Sequence, residues 1–237
     1  MAEQSEFQGF FKETIAFFSG LKKNNTKKWF TSHKQEYEDF VMRPARAFVV
    51  AMGDKLRTHI PGIVAVPKIN KSLFRINRDT RFSQDKSPYK TNMGIFFWEG
   101  NRPRMECAGF YFHLEPPIMM LGAGLYMFPK YLLDTYRNSV VHAEYGEELA
   151  HILGGIAKKK EYQIGGSHYK RVPPGFDPSH PHADLLLHSG LYVGVESTIP
   201  EAFYSKKLID HSWKTFKPLL PLHAWLVAMT LRYRKGF

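Results

Sequence analysis

Between Ile69 and Tyr126 the apolar residues abandon the three- and four-residue spacing that governs the rest of the chain, and this change of period limits the fold more than any other feature. Four short runs, Ile69 to Arg78, Met93 to Trp98, Gly109 to Leu114 and Met119 to Tyr126, are rich in aromatic and branched residues and bounded by Gly, Pro or Asn, so they predict strands. Met93 to Trp98 and Gly109 to Leu114 flank a polar Glu99-Gly100-Asn101-Arg102-Pro103 loop, the layout of an antiparallel hairpin.

On either side the spacing is helical. Phe10, Phe11, Ile15, Phe17, Phe18 and Leu21 form one apolar face before Asn24-Asn25. Asn25 or Thr26 suits the cap of a second helix carrying Trp29, His33, Tyr37, Phe40 and Val41, expected to end at Arg43. Pro44 suits the first turn of a third helix with Ala45, Phe48, Val49, Met52 and Leu56 inward. After Pro129, Leu132, Leu133, Tyr136, Val140 and Val141 begin a further helical stretch that runs to Lys158-Lys159-Lys160. Gly165 to Pro178 is expected to be a loop, Ala183 to His188 a short helix, Leu191 to Glu196 a strand, and the tail from Pro200 helical. Together these predict an α+β fold, a central mainly antiparallel sheet flanked by N-terminal and C-terminal helices. A single domain over residues 1–237 is expected: helical over 9–58, sheet-rich over 68–127, and helical with a short strand over 130–232.

At 237 residues with 43% hydrophobic and 15% aromatic side chains, the chain has material for a packed core without disulfides or a structural metal. Its one cysteine, Cys107, has no partner in the chain and suits a reducing compartment. The start Met1-Ala2-Glu3-Gln4-Ser5-Glu6 lacks the basic and apolar regions of a signal peptide, and no apolar run has the length of a membrane span. A cytoplasmic protein without a membrane partner is expected.

The formal charge of +11 is unevenly spread. Residues 68–104 carry nine cations and three anions, whereas 105–157 carry two cations and six anions. A clustered basic surface speaks to partners and says nothing of fold. Its centre is the run Phe74 to Lys90, with Arg75, Arg78, Arg81, Lys86 and Lys90 around two carboxylates, Asp79 and Asp85. Arginine offers a planar fork for phosphate or carboxylate and lysine a point charge, so these residues, with Tyr89, are the candidate ligand-binding set. Asp79 and Asp85 then orient the guanidinium groups, Asp79 being also a candidate proton carrier. Alternatively the charges pair with one another and pin the loop.

Several long runs are unlike any generic motif: Gly9-Phe10 and Asn24-Asn25 to Trp29-Phe30; Phe74-Arg75-Ile76-Asn77-Arg78-Asp79-Thr80-Arg81-Phe82-Ser83; and Asp85-Lys86-Ser87-Pro88-Tyr89-Lys90-Thr91. Further on come Gly109 to Pro116, Gly122-Ala123-Gly124-Leu125 and Arg171-Val172-Pro173-Pro174-Gly175-Phe176. On these runs the chain resembles, over nearly its full length, the DUF2461 family of conserved proteins of unknown function. The resemblance implies no activity. Gln84 stands where that family commonly has a Lys, which removes one cation from the loop.

In a strand from Gly109, the side chains of Tyr111, His113 and Glu115 share one face, and His113 with Glu115 is the candidate acid/base pair. His180, His182, Asp184 and His188 are the one tight His cluster, but their spacing fits no standard zinc pattern, and no metal site is expected. No nucleophile elbow, P-loop or dinucleotide fingerprint is present, and Gly122 and Gly124 suit close backbone approach instead. No cofactor is assigned. Phe74, Phe82 and Tyr89 among the cations suit stacking on single-stranded bases, although Phe74 also suits a core face. The readings are therefore a binding module for a phosphate-bearing ligand, an enzyme acting on a phosphorylated or carboxylated small molecule, and a non-specific nucleic-acid binder. Protein partners are left open.

Overall fold

The computed structural model describes residues 6–235, with α-helices, short π and 3-10 segments and six strands. The first five residues, where no leader is expected, lie outside that range. The class is α+β, with strands joined in one antiparallel sheet of order β1-β2-β3-β4-β6-β5. β1 is Ile63–Val64, β2 Met93–Glu99, β3 Gly109–Glu115, β4 Ile118–Leu125, β5 Gln163–Ser167 and β6 His188–Thr198. By contact density the residues group into two compact units: one of residues up to Phe97 with Tyr111–Leu121 and Glu196–Lys214, the other of Trp98–Phe110, Gly122–Val195 and the residues from Thr215 on.

The first unit begins with α1 (Lys12–Lys23), where Phe17, Phe18 and Leu21 are buried. Thr26 then caps α2 (Lys27–Ser32), its hydroxyl accepting the Trp29 amide at 3.2 Å. The expected break at Arg43 is absent. Instead α3 (Lys34–Glu36) passes through a π-helical stretch, Tyr37–Met42, straight into α4 (Arg43–Arg57) with Pro44 in its first turn. Within the π stretch the Phe40 carbonyl, to which Pro44 four residues on cannot donate, accepts from the buried hydroxyl of Thr14 on α1. The core of this unit is aromatic. Phe10 stacks on Phe203 with centroids 4.8 Å apart and on Phe112 at 5.9 Å, while Phe48 meets Phe112 at 5.0 Å and Phe97 at 6.3 Å. These contacts bury the Phe112 side of β3 and leave Tyr111, His113 and Glu115 partly exposed on the other side, as strand alternation requires.

Ile69 to Arg78 is not a strand. Asn70 takes a left-handed conformation, φ 63°, and the turn it makes ends the extended path. Beyond that turn the chain touches β2 one residue at a time, through Phe96 N–H to Ser72 O at 2.8 Å and Phe74 N–H to Gly94 O at 3.1 Å. The apolar residues that signalled a strand, Leu73 and Ile76, are buried side chains of an irregular segment.

In the second unit α5 (Lys130–Val141), α6 (Ala143–Ala157) and α8 (Leu220–Lys235) pack together, and α7 (Leu208–Phe216) precedes α8 in the chain. Tyr136 is fully buried and its hydroxyl donates to Leu185 O at 3.0 Å; Trp225 donates to Tyr145 O at 3.0 Å. Part of the segment expected to be a loop is β5, antiparallel to β6. Its glycines mark close packing: a Cβ on Gly166 would stand 2.0 Å from Gly190 O, and one on Gly165 2.4 Å from the Tyr192 ring. Gly124 is the same case on β4, at φ +144° with Leu191 O 2.4 Å from where its Cβ would be. No described helix is long and apolar enough to cross a membrane.

Candidate functional site

The basic loop lies within the first unit and is closed at its base. Asn77 and Tyr89 form an isolated antiparallel bridge, Arg78 N–H donates to Pro88 O at 2.9 Å, and Lys90 N–H donates to Ile76 O at 2.8 Å. A second clamp comes from the start of α2. The Asn25 side chain accepts the Tyr89 amide at 3.1 Å and donates to the Tyr89 carbonyl at 2.9 Å, and the Tyr89 ring, only 8% exposed, stacks on Phe30 with centroids 4.2 Å apart. Tyr89 therefore sits in the base of the loop, its ring covered by Phe30.

Above the base the polar groups are shared among the loop's own residues. Arg78 pairs with Asp85 and donates to the Ser83 hydroxyl at 3.3 Å. Arg81 grips Asp79 through two nitrogens, Nε at 3.0 Å and Nη2 at 2.7 Å, and Lys86 donates to the Thr80 carbonyl at 3.0 Å. Arg81's hydrogen bonds hold the Asp79 carboxyl down at about 2; those of Ser87, then Arg78, hold Asp85 at about 2. Both remain anions under ordinary conditions. Arg75 is exposed and makes no side-chain hydrogen bond or ion pair among the described residues.

The C-terminal leg of the loop leads to the exposed side of β3. Lys90 Nζ lies 5.7 Å from the centroid of the Phe74 ring, which meets Tyr111 edge-on at 5.9 Å. The Tyr111 hydroxyl is 3.1 Å from His113 Nδ1, His113 Nε2 is 3.7 Å from Glu115, and the Thr91 hydroxyl donates to Glu115 at 3.4 Å. Gly94 makes room for this row, because a Cβ there would stand 2.6 Å from the Tyr111 oxygen. Burial lowers the His113 pKa, against the pull of Glu115 and Glu196, and pushes Tyr111 up to about 12. A neutral His113 with its proton on Nε2 accepts from Tyr111 and faces Glu115 with its N–H.

The structure thus brings Lys90, His113 and Glu115 into one row of contacts, and Asp79 with Arg81, Arg78 with Asp85, into the loop above. No direct contact joins Arg81 or Lys86 to His113. Sequence reasoning missed Asn25, Thr91 and Gly94. Asn25 stands in one of the unusual runs, but its partner is 64 residues away.

The remaining clusters lie apart. In the second unit His182 faces Glu147 at 3.3 Å, His180 Nδ1 accepts the His182 amide at 3.1 Å, and His188 is buried. Among the described residues no group of three or more His, Cys, Asp or Glu side chains is placed to hold a metal ion. Cys107 is buried, which pushes its thiol pKa up and so away from nucleophilic use.

A family model described as a conserved hypothetical protein, DUF2461, matches residues 13–225. No curated protein and no solved structure matches the chain.

Proposed function

We propose, from the premise that this chain belongs to the DUF2461 family, that it is a binding protein whose basic loop captures a phosphate-bearing small ligand. One observation carries the reading: the loop uses its carboxylates to aim guanidinium groups, while Arg75, Arg81 and Lys86 remain at the surface. A guanidinium pre-set by an internal carboxylate meets an oxyanion without first losing side-chain freedom. In this reading Arg75, Arg81, Lys86 and Lys90 contact the ligand, and Arg78 and Tyr89 hold the loop in shape. The single buried cysteine suits a cytoplasmic setting.

The test is a thermal-shift titration with inorganic phosphate and sugar phosphates, since anything binding the folded state alone raises its stability. A shift abolished in Arg75→Ala/Arg81→Ala, with the unliganded melting point unchanged, supports the proposal. An undiminished shift in that variant, or none in the native protein, rejects it.

A second reading, an enzyme acting on a phosphorylated or carboxylated small molecule, is favoured by the row Tyr111, His113, Glu115. A histidine kept neutral by burial and flanked by a hydroxyl and a carboxylate has the parts for moving a proton near neutral pH. It requires turnover with a bell-shaped pH profile that His113→Ala abolishes. A profile unaltered by that change removes His113 from the chemistry.

A further inference from the structure

The tip of the basic loop is a tight turn, Thr80-Arg81-Phe82-Ser83, closed by Ser83 N–H to Thr80 O at 3.3 Å. Asp79 braces its entry by accepting the Arg81 amide at 3.3 Å. Arg81 and Phe82 therefore hold the two central positions, from which side chains point outward. Phe82 is 95% exposed, more than any other large hydrophobic side chain described. Arg78 to Ser83, Arg78 to Asp85 and Lys86 to Thr80 tie the turn from below, so the ring is held out by a braced support. The Arg81 guanidinium carbon lies over the Phe82 ring, 5.8 Å from its centroid.

We infer that this tip docks single-stranded nucleic acid, Phe82 stacking on an unpaired base while Arg81, Arg75 and Lys86 engage the adjoining phosphates. This rests on the anion-binding reading of the same loop and extends its ligand from a small phosphate-bearing molecule to a chain of linked nucleotides. The complementarity is of two kinds. From Phe74 to Lys90 the loop carries five cations and two anions, which calls for a polyanion. At its apex it offers one flat aromatic ring, which matches the open face of an unstacked base; paired bases in a duplex keep that face covered. A lipid surface fits less well, because Ser83, Gln84 and Asp85 come directly after Phe82 and a single ring anchors weakly.

The test is fluorescence anisotropy at low salt with labelled oligothymidylate and oligouridylate, a duplex of the same length, and co-sedimentation with equimolar phosphatidylcholine–phosphatidylserine vesicles. Expected are binding of single strands in preference to duplex, a loss of about tenfold or more in Phe82→Ala, and retention in Phe82→Tyr. Lys86→Ala is expected to reduce the salt dependence by about one phosphate contact. Equal binding by Phe82→Ala, equal affinity for duplex, or Phe82-dependent capture by vesicles without oligonucleotide binding would each overturn the inference. The phosphate titration separates the two failures. If Phe82→Ala binds oligonucleotides normally and phosphate still shifts the melting point, only the stacking inference falls; if neither phosphate nor oligonucleotide binds, the anion-binding reading falls with it.

Discussion

Replacing Asn25 by Ala is expected to release the base of the basic loop from α2 and to destabilise the protein by about 2 to 3 kcal/mol. Asn25 makes two hydrogen bonds to one backbone unit, accepting the Tyr89 amide and donating to the Tyr89 carbonyl, at 3.1 and 2.9 Å. Each is worth about 1 kcal/mol net, and leaving the groups of a residue 8% exposed with poor access to water adds roughly another. For a chain of 237 residues that corresponds to a fall of roughly 4 to 12 °C in melting temperature. Urea unfolding followed by tryptophan fluorescence gives the free energy, and hydrogen exchange at the Tyr89 amide localises it. Asn25→Asp discriminates further: it keeps an acceptor for the amide but sets a second carboxylate oxygen against the Tyr89 carbonyl, so it recovers little of the loss. Native stability in Asn25→Ala, or in Asn25→Asp, would refute the assignment of the clamp to this side-chain amide.

Three further outcomes are expected. Gly154→Ala, within α6 and with nothing within 4 Å of the added methyl, stabilises by about 0.5 to 1 kcal/mol, whereas Gly124→Ala, strained in φ and blocked by the β6 backbone, costs about 3 kcal/mol or more; denaturant titration of both checks the contrast. Tyr136→Phe loses the buried bond to Leu185 O and about 1 kcal/mol, and an unchanged unfolding midpoint would contradict that. Burial lowers the pKa of His113 and of His188 below the usual 6.5, so as pH falls through about 6.5 the unfolded chain takes up protons that the native state refuses. Stability is therefore full above that value and declines below it toward the folded-state pKa values, and His113→Gln flattens the decline; an identical slope in the variant would show that His113 does not contribute.

Local pattern made the alternation of β3 legible, with Phe110, Phe112 and Leu114 buried and Tyr111, His113 and Glu115 partly exposed; it narrowed the cap of α2 to Asn25 or Thr26, of which Thr26 is the one, and made the helical role of Pro44 legible too. Where the period was right but the backbone was not extended, as from Ile69 to Arg78, burial of single side chains imitated a strand. The glycines of β5 misled in the other direction, since close approach to β6 and looseness of chain call for the same residue. At the candidate site the cations and their two carboxylates were readable by composition. Which carboxylate takes which arginine was not, because the choice depends on the turn at Thr80 to Ser83. The clamp between Asn25 and Tyr89 was hidden for a simpler reason: it spans 64 residues and is made to backbone, which has no sequence signature.

The bidentate hold of Asp79 on Arg81 makes the loop its own competitor. Any oxyanion that takes the Arg81 fork must evict a carboxylate tethered two residues away, a rival whose effective concentration is of millimolar order or higher. In the proposed anion-binding reading, a lone small anion no better matched than the carboxylate already in place competes poorly for the fork. On that reading a phosphate, as a free monoester or as one of a run of phosphodiesters, displaces the resident when neighbouring cations engage it or the phosphates beside it. In the proposed reading the pairing of Arg81 with Asp79 is thus a threshold, one that favours ligands engaging several of the loop's cations at once.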